Sequence, residues 1–164
     1  MAETHQAYVQ RILGTLGTTD PLEVLAATPA KLDSALARFR REQLRTRPAP
    51  GKWSAAEIAI HLSEVEMMIG VRVRLVVGQD GVAIQGYDQD AWAARYGNVD
   101  LDLALQAFKA LRAANLAFYR SLTEEQWEHY GMHSERGKET ARRIVELCAG
   151  HDLNHLKQIE ALSL

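Results

Sequence analysis

Between its clusters of glycine and proline the chain repeats apolar residues at intervals of three and four, the spacing that places them on one face of an α-helix. This pattern predicts a short N-terminal helix over about Thr4 to Leu16. Asp20-Pro21 reads as an N-cap followed by proline in the first turn. Leu22, Leu25, Leu32, Ala35 and Phe39 hold one stripe through Pro29, which predicts a single kinked helix, ended by Arg47-Pro48-Ala49-Pro50-Gly51. Trp53-Ser54-Ala55-Ala56-Glu57-Ile58 has the form of a capping box, with Ser54 as N-cap, Glu57 reaching back and Trp53 and Ile58 as the apolar staple. The helix it opens carries Ile58, Leu62, Val65, Ile69, Val73 and Val76 on one face to about Val77.

Gly78, Gly81 and Gly86 mark a loop, followed by a short helix around Asp88 to Tyr96. A third long helix runs from about Leu101 to Leu122 on the stripe Leu101, Leu105, Phe108, Leu111, Phe118 and Leu122. Thr123-Glu124-Glu125-Gln126 repeats the capping pattern ahead of Trp127, Gly131 to Gly137 reads as a loop, and Thr140 caps a last long helix. No segment alternates convincingly with period two, so strands are not expected. The pattern predicts an all-α four-helix bundle with short extra helices, one domain over residues 1–164 in which 1–18 form a short N-terminal helix or arm.

Composition narrows the partners. Nineteen basic against 21 acidic residues give a formal net charge of -2, without the overall basic excess that nucleic acid or an anionic membrane requires. Arg38, Arg40, Arg41, Arg45 and Arg47 are interrupted by Glu42 and have no interleaved aromatic residue, as at a solvated helix end. The most apolar stretch, Met67 to Val77, is broken by Gly70, Arg72 and Arg74 and falls short of the roughly 20 residues a membrane span needs. One cysteine cannot form an internal disulfide and fits a reducing compartment, so a soluble, cytoplasmic protein is expected.

Histidine changes the picture. His151 and His155 are four apart on the last helix, within the stripe of Ile144, Leu147, Cys148, Ile159 and Leu162, so both imidazoles point into the bundle. Two buried imidazoles need partners for their ring nitrogens, and a divalent cation can supply them. His61, about 70° to one side of the second helix's stripe, is the better third ligand because a helix fixes its direction. His129 and His133 lie in or beside a loop, and His5 lies near the N-terminus. Cys148 is either a fourth ligand or a small core residue, and Glu57 either a general base or only a capping group. Asp152 and Asn154 either orient a ligand histidine or are solvated. Asn115, in the seam of the third long helix, either lines a polar pocket or bonds a neighbouring backbone.

The run from Pro50 to Leu62, with Glu66 after it, resembles the second helix of DinB and YfiT-like proteins, and Gly150-His151-Asp152-Leu153-Asn154-His155-Leu156-Lys157-Gln158-Ile159 resembles their last helix. The resemblance covers about Leu22 to Leu162 in element order. It implies a four-helix bundle and a three-histidine metal site falling on His61, His151 and His155, with zinc or nickel as the ion, and homodimers are common in that family. Characterised relatives include thiol-dependent S-transferases and a mycothiol-dependent maleylpyruvate isomerase, while others carry only a metal-dependent hydrolase name. The first expectation is therefore an enzyme that transfers a low-molecular-weight thiol to an electrophilic small molecule. The alternatives are a hydrolase using metal-bound hydroxide, with Glu57 or Asp152 as base, and a bundle that binds metal or ligand without catalysis.

Overall fold

In a computed structural model, which describes residues 4–163, the helices follow the apolar stripes closely. They are α1 (His5–Leu16), α2 (Pro21–Leu36), α3 (Ala55–Gly78), α4 (Gln89–Ala93), α5 (Leu101–Arg120), α6 (Glu124–Glu128) and α7 (Ala141–Leu162), with a 3-10 turn at Tyr96–Asn98. The expected caps are present, Asp20 on α2, a full Ser54–Glu57 box on α3, a Thr123–Gln126 box on α6 and Thr140 on α7, and Thr4 caps α1 as well. Each gives an otherwise orphaned N–H of the first turn an acceptor. Helix α2 continues through Pro29 as predicted, but it ends at Leu36, before Phe39.

Helices α2, α3, α5 and α7 form the bundle, each packed on two others in the cyclic order α2–α7–α3–α5. One end of its core joins Leu32, Ile58, Leu62, Phe108, Leu156 and Ile159. The other joins Leu25, Val73, Val76, Ile144 and Val145. Helix α1 lies along α7, and the approach is close at Gly150, where an added Cβ would collide with the backbone carbonyl of Ile12. Gly150→Ala is therefore expected to destabilise the fold by about 1–3 kcal/mol through overpacking, read as a lower urea midpoint. It would also displace Tyr8 and Arg11, which α1 contributes to the wall of the site described below.

The expectation of no strands is corrected. Strand β1 (Val82–Ile84) pairs in parallel with β2 (Tyr130–His133), and β2 forms an antiparallel hairpin with β3 (Gly137–Thr140), where the sequence reads as a loop. The strands have three or four residues, too few for alternation to register. In β2 and β3 the inward positions are also held by Gly131, His133 and Glu139 in place of aliphatic residues. Gly131 is needed there because a Cβ would stand 2.6 Å from Ile84 Cδ1. No helix among the described residues is long and apolar enough to cross a membrane.

Candidate metal centre

Helix α3 carries His61 and helix α7 carries His151 and His155 into the same buried spot. The Nε2 atoms of His61 and His155 each lie 3.0 Å from His151 Nε2. Among the described residues these three form the cluster able to share a metal ion, their candidate ligand atoms all lying within 4.8 Å of one another.

The hydrogen bonds behind the rings decide which nitrogens carry protons. Tyr96 Oη donates to Glu64 Oε2 at 2.7 Å, so its contact with His61 Nδ1 at 3.4 Å requires the imidazole N–H to be the donor. His155 Nδ1 donates to Gln158 Oε1 at 2.8 Å. In their neutral forms both rings then present bare Nε2 lone pairs to His151. A proton on His151 Nε2 could satisfy only one of them well, and His151 Nδ1 is itself buried without a partner. Three nitrogen donors converging in this way match the donor set of a divalent cation with an open coordination position. The Nδ1 contacts are those expected behind metal-binding histidines.

Burial holds all three imidazoles neutral. Desolvation pushes His61 down to about 3, with His155 adding to the effect. It also pushes His151 well below its ordinary value, with His155 and His61 reinforcing it, and lowers His155. Unfolded histidine titrates near 6.5, so between about pH 3 and 6.5 the unfolded chain binds more protons than the folded one. Stability of metal-free protein is thus expected to be fully present above about pH 6.5 and to fall as the pH drops, by about 2 kcal/mol from His61 alone on reaching pH 5. Urea midpoints in chelator check this, and the slope shrinks in His61→Gln.

Trp53 closes one side, its ring stacked on His155 at 6.3 Å and 20° and tilted against His61 at 4.8 Å. Sequence reasoning assigns Trp53 only to the staple. A cavity of about 510 Å³ opens beside His151 and His155, walled by Tyr8, Arg11, Trp53, Gln89, Asn154 and Gln158. A second cavity of about 220 Å³ shares Tyr8, Gln89 and His151 with the first. Gln158, one turn beyond His155, was legible from spacing, whereas Tyr96 and Glu64 offered no signal.

The other candidates are placed elsewhere. Both Glu57 oxygens receive hydrogen bonds from Arg47, and one also accepts the Ser54 N–H, so Glu57 serves the cap. Its carboxyl is held below its usual range: burial opposes ionisation, and the Arg47 and Ser54 contacts outweigh burial. Asp152 is held by Arg112 at 2.7 Å. Asn115 donates to the Glu66 carboxylate at 2.8 Å and to its backbone carbonyl at 3.2 Å, and it lines neither cavity. Cys148 stands outside the histidine cluster and lines the smaller cavity, its thiol pushed well up by burial and by Asp152 and Glu66. Asn154 accepts from Arg11 at 3.1 Å. His129 Nδ1 donates to the Val77 carbonyl at 3.0 Å, joining α6 to α3, and His133 is buried in β2.

Fold and site together define a four-helix-bundle protein with a buried three-histidine centre. The chain belongs to the DinB superfamily, whose family model matches residues 25–159. It is similar to proteins named "Putative metal-dependent hydrolase" in several bacilli. The Bacillus licheniformis protein is 31% identical over 142 residues, 84% of this chain and 80% of that one. YfiT of Bacillus subtilis is 28% identical over 146 residues, 87% and 82% of the two chains, and the Oceanobacillus iheyensis protein OB0782 is 26% identical over 135 residues, 82% and 78%. The solved structure of YfiT, described as having an unusual four-helix bundle topology, superposes with a TM-score of 0.81 at 24% identity, covering 99% of this chain and 89% of YfiT.

Proposed function

We propose that this chain is a metal-dependent hydrolase of a small-molecule ester or amide, with His61, His151 and His155 holding the divalent ion. The observation that carries this reading is the convergence of three imidazole nitrogens, two of them from residues that line an open cavity. The ion supplies Lewis-acid activation of water and of the scissile carbonyl. The imidazoles stay neutral and so leave the ion's charge uncompensated, while Tyr96 and Gln158 hold two of the rings in the ligating tautomer. Trp53 screens the centre from one side, and the larger cavity admits the substrate. Water adds to the carbonyl carbon, the C–O or C–N bond breaks, and the leaving alcohol or amine takes a proton from the water. Glu57 and Asp152 are committed to Arg47 and Arg112, so neither is assigned as base.

The relatives' names support hydrolysis over the thiol transfer placed first from sequence. Zinc or nickel is proposed as the ion, both being well suited to imidazole. Stripped protein is expected to show no turnover of p-nitrophenyl butyrate and to gain it on adding one equivalent of zinc or nickel. Absence of metal-dependent ester or amide cleavage, with thiol conjugation on the same sample, would reverse the assignment.

A further inference from the structure

Two residues that line the smaller cavity each carry a buried N–H with no acceptor. Arg72 on α3 is 7% exposed, and its Nη2 donates to the Gln85 carbonyl at 2.9 Å while Nε is buried without an acceptor. His133 on β2 is 4% exposed. Its Nδ1 accepts the Glu135 backbone N–H at 3.1 Å, which puts the proton on Nε2, and that atom too is buried without a partner. Buried donors are normally satisfied, so two around one cavity mark a place for an acceptor.

The surrounding charges favour an anion of low charge. Arg136 and Glu139 bind each other through two hydrogen bonds, at 2.6 and 2.9 Å, and cancel. Glu135 is half exposed and lies 3.8 Å from His5. No carboxylate among the described residues pairs with Arg72, whose remaining contact is with the Tyr87 ring, 5.7 Å away. The guanidinium is therefore desolvated and has no carboxylate paired with it, Glu139 and Glu135 acting on it only from beyond contact. A carboxylate has one oxygen to offer each of the two residues and carries the single negative charge that Arg72 lacks as a partner. A phosphate dianion would ask for more donors and would meet Glu135 and Glu139.

We propose that Arg72 and His133 bind the carboxylate of the substrate, making the preferred substrate an ester or amide that also bears a free carboxylate. His151 lines this cavity as well as the larger one, so the proposed carboxylate site adjoins the histidine centre. The carboxylate site stands on its own donors. Its link to turnover rests on the hydrolase reading.

The test separates the two. Succinate and inorganic phosphate are titrated calorimetrically into metal-free protein, so that neither can bind through an ion. Succinate is expected to bind more tightly than phosphate, with affinity falling at least tenfold in Arg72→Met and in His133→Phe. Circular dichroism and a cooperative thermal transition should show both variants folded, although Arg72→Met gives up the bond to the Gln85 carbonyl and His133→Phe the bond from the Glu135 N–H. Equal succinate affinity in wild type and both variants, phosphate binding more tightly, or no binding would overturn the site. With zinc loaded, mono-p-nitrophenyl succinate is expected to be cleaved at least tenfold faster than p-nitrophenyl butyrate, a preference lost in Arg72→Met. If the butyrate ester turns over without such a preference, the inference fails and the hydrolase stands. If neither ester turns over while Arg72-dependent succinate binding persists, the hydrolase reading fails and the anion site stands.

Discussion

His151→Ala is expected to yield folded protein whose affinity for zinc or nickel is lower by at least about 100-fold, beyond the 10- to 100-fold typical of losing an outer partner of a ligand. His151 is the middle member of the cluster, with Nε2 3.0 Å from each of the other two. Its loss leaves His61 and His155, on different helices, as a two-ligand remnant. The variant should still fold because the ring contributes no hydrogen bond from Nδ1 and its buried neutral form is a burden on the metal-free state. Ligand binding stabilises the native state by about 2.7 kcal/mol at a hundredfold excess over Kd, so added zinc should raise the wild-type melting temperature and leave that of His151→Ala unmoved. Elemental analysis after dialysis reads the same loss directly. Stoichiometric metal in folded His151→Ala would show that the ion sits elsewhere.

That centre was legible in the sequence because helices translate spacing into direction. The interval from His151 to His155 fixes one face of α7, and the Ser54–Glu57 box sets the phase of α3 and hence the bearing of His61. The contacts behind the ligands were less legible. Tyr96 reaches His61 from a 3-10 turn after an irregular loop, where no periodicity predicts which side chain returns to the bundle. The β2–β3 hairpin escaped notice because its buried positions are occupied by Gly131, His133 and Glu139, so composition argued for a loop. Arg72 was read only as an interruption of an apolar run. Charge on a helix usually signals solvent, and only the packed structure reveals an arginine buried without a counter-ion.

The same bias hid Arg112, and replacing it should have the largest effect on stability. Its side chain is 2% exposed on α5 and pairs with Glu66 of α3 and Asp152 of α7, both at 2.7 Å. It also donates to the Leu25 carbonyl of α2 at 2.8 Å. That last contact follows from Pro29, which has no N–H to offer the carbonyl four residues before it, so Arg112 supplies the donor that lets α2 run on. Burial alone would weaken its hold on the proton, but Asp152 and Glu66 outweigh burial and keep the guanidinium firmly charged. Arg112→Met removes the cation and strands two carboxylates in the core, a loss of about 3–5 kcal/mol. At roughly 2–4 °C per kcal/mol for a chain of this size, melting should fall by about 6–20 °C. Desolvated charge and not lost packing is the cause, so adding Glu66→Gln and Asp152→Asn to Arg112→Met should recover most of the loss. A triple variant no more stable than Arg112→Met would assign the penalty to the Leu25 carbonyl and the proline in α2 instead.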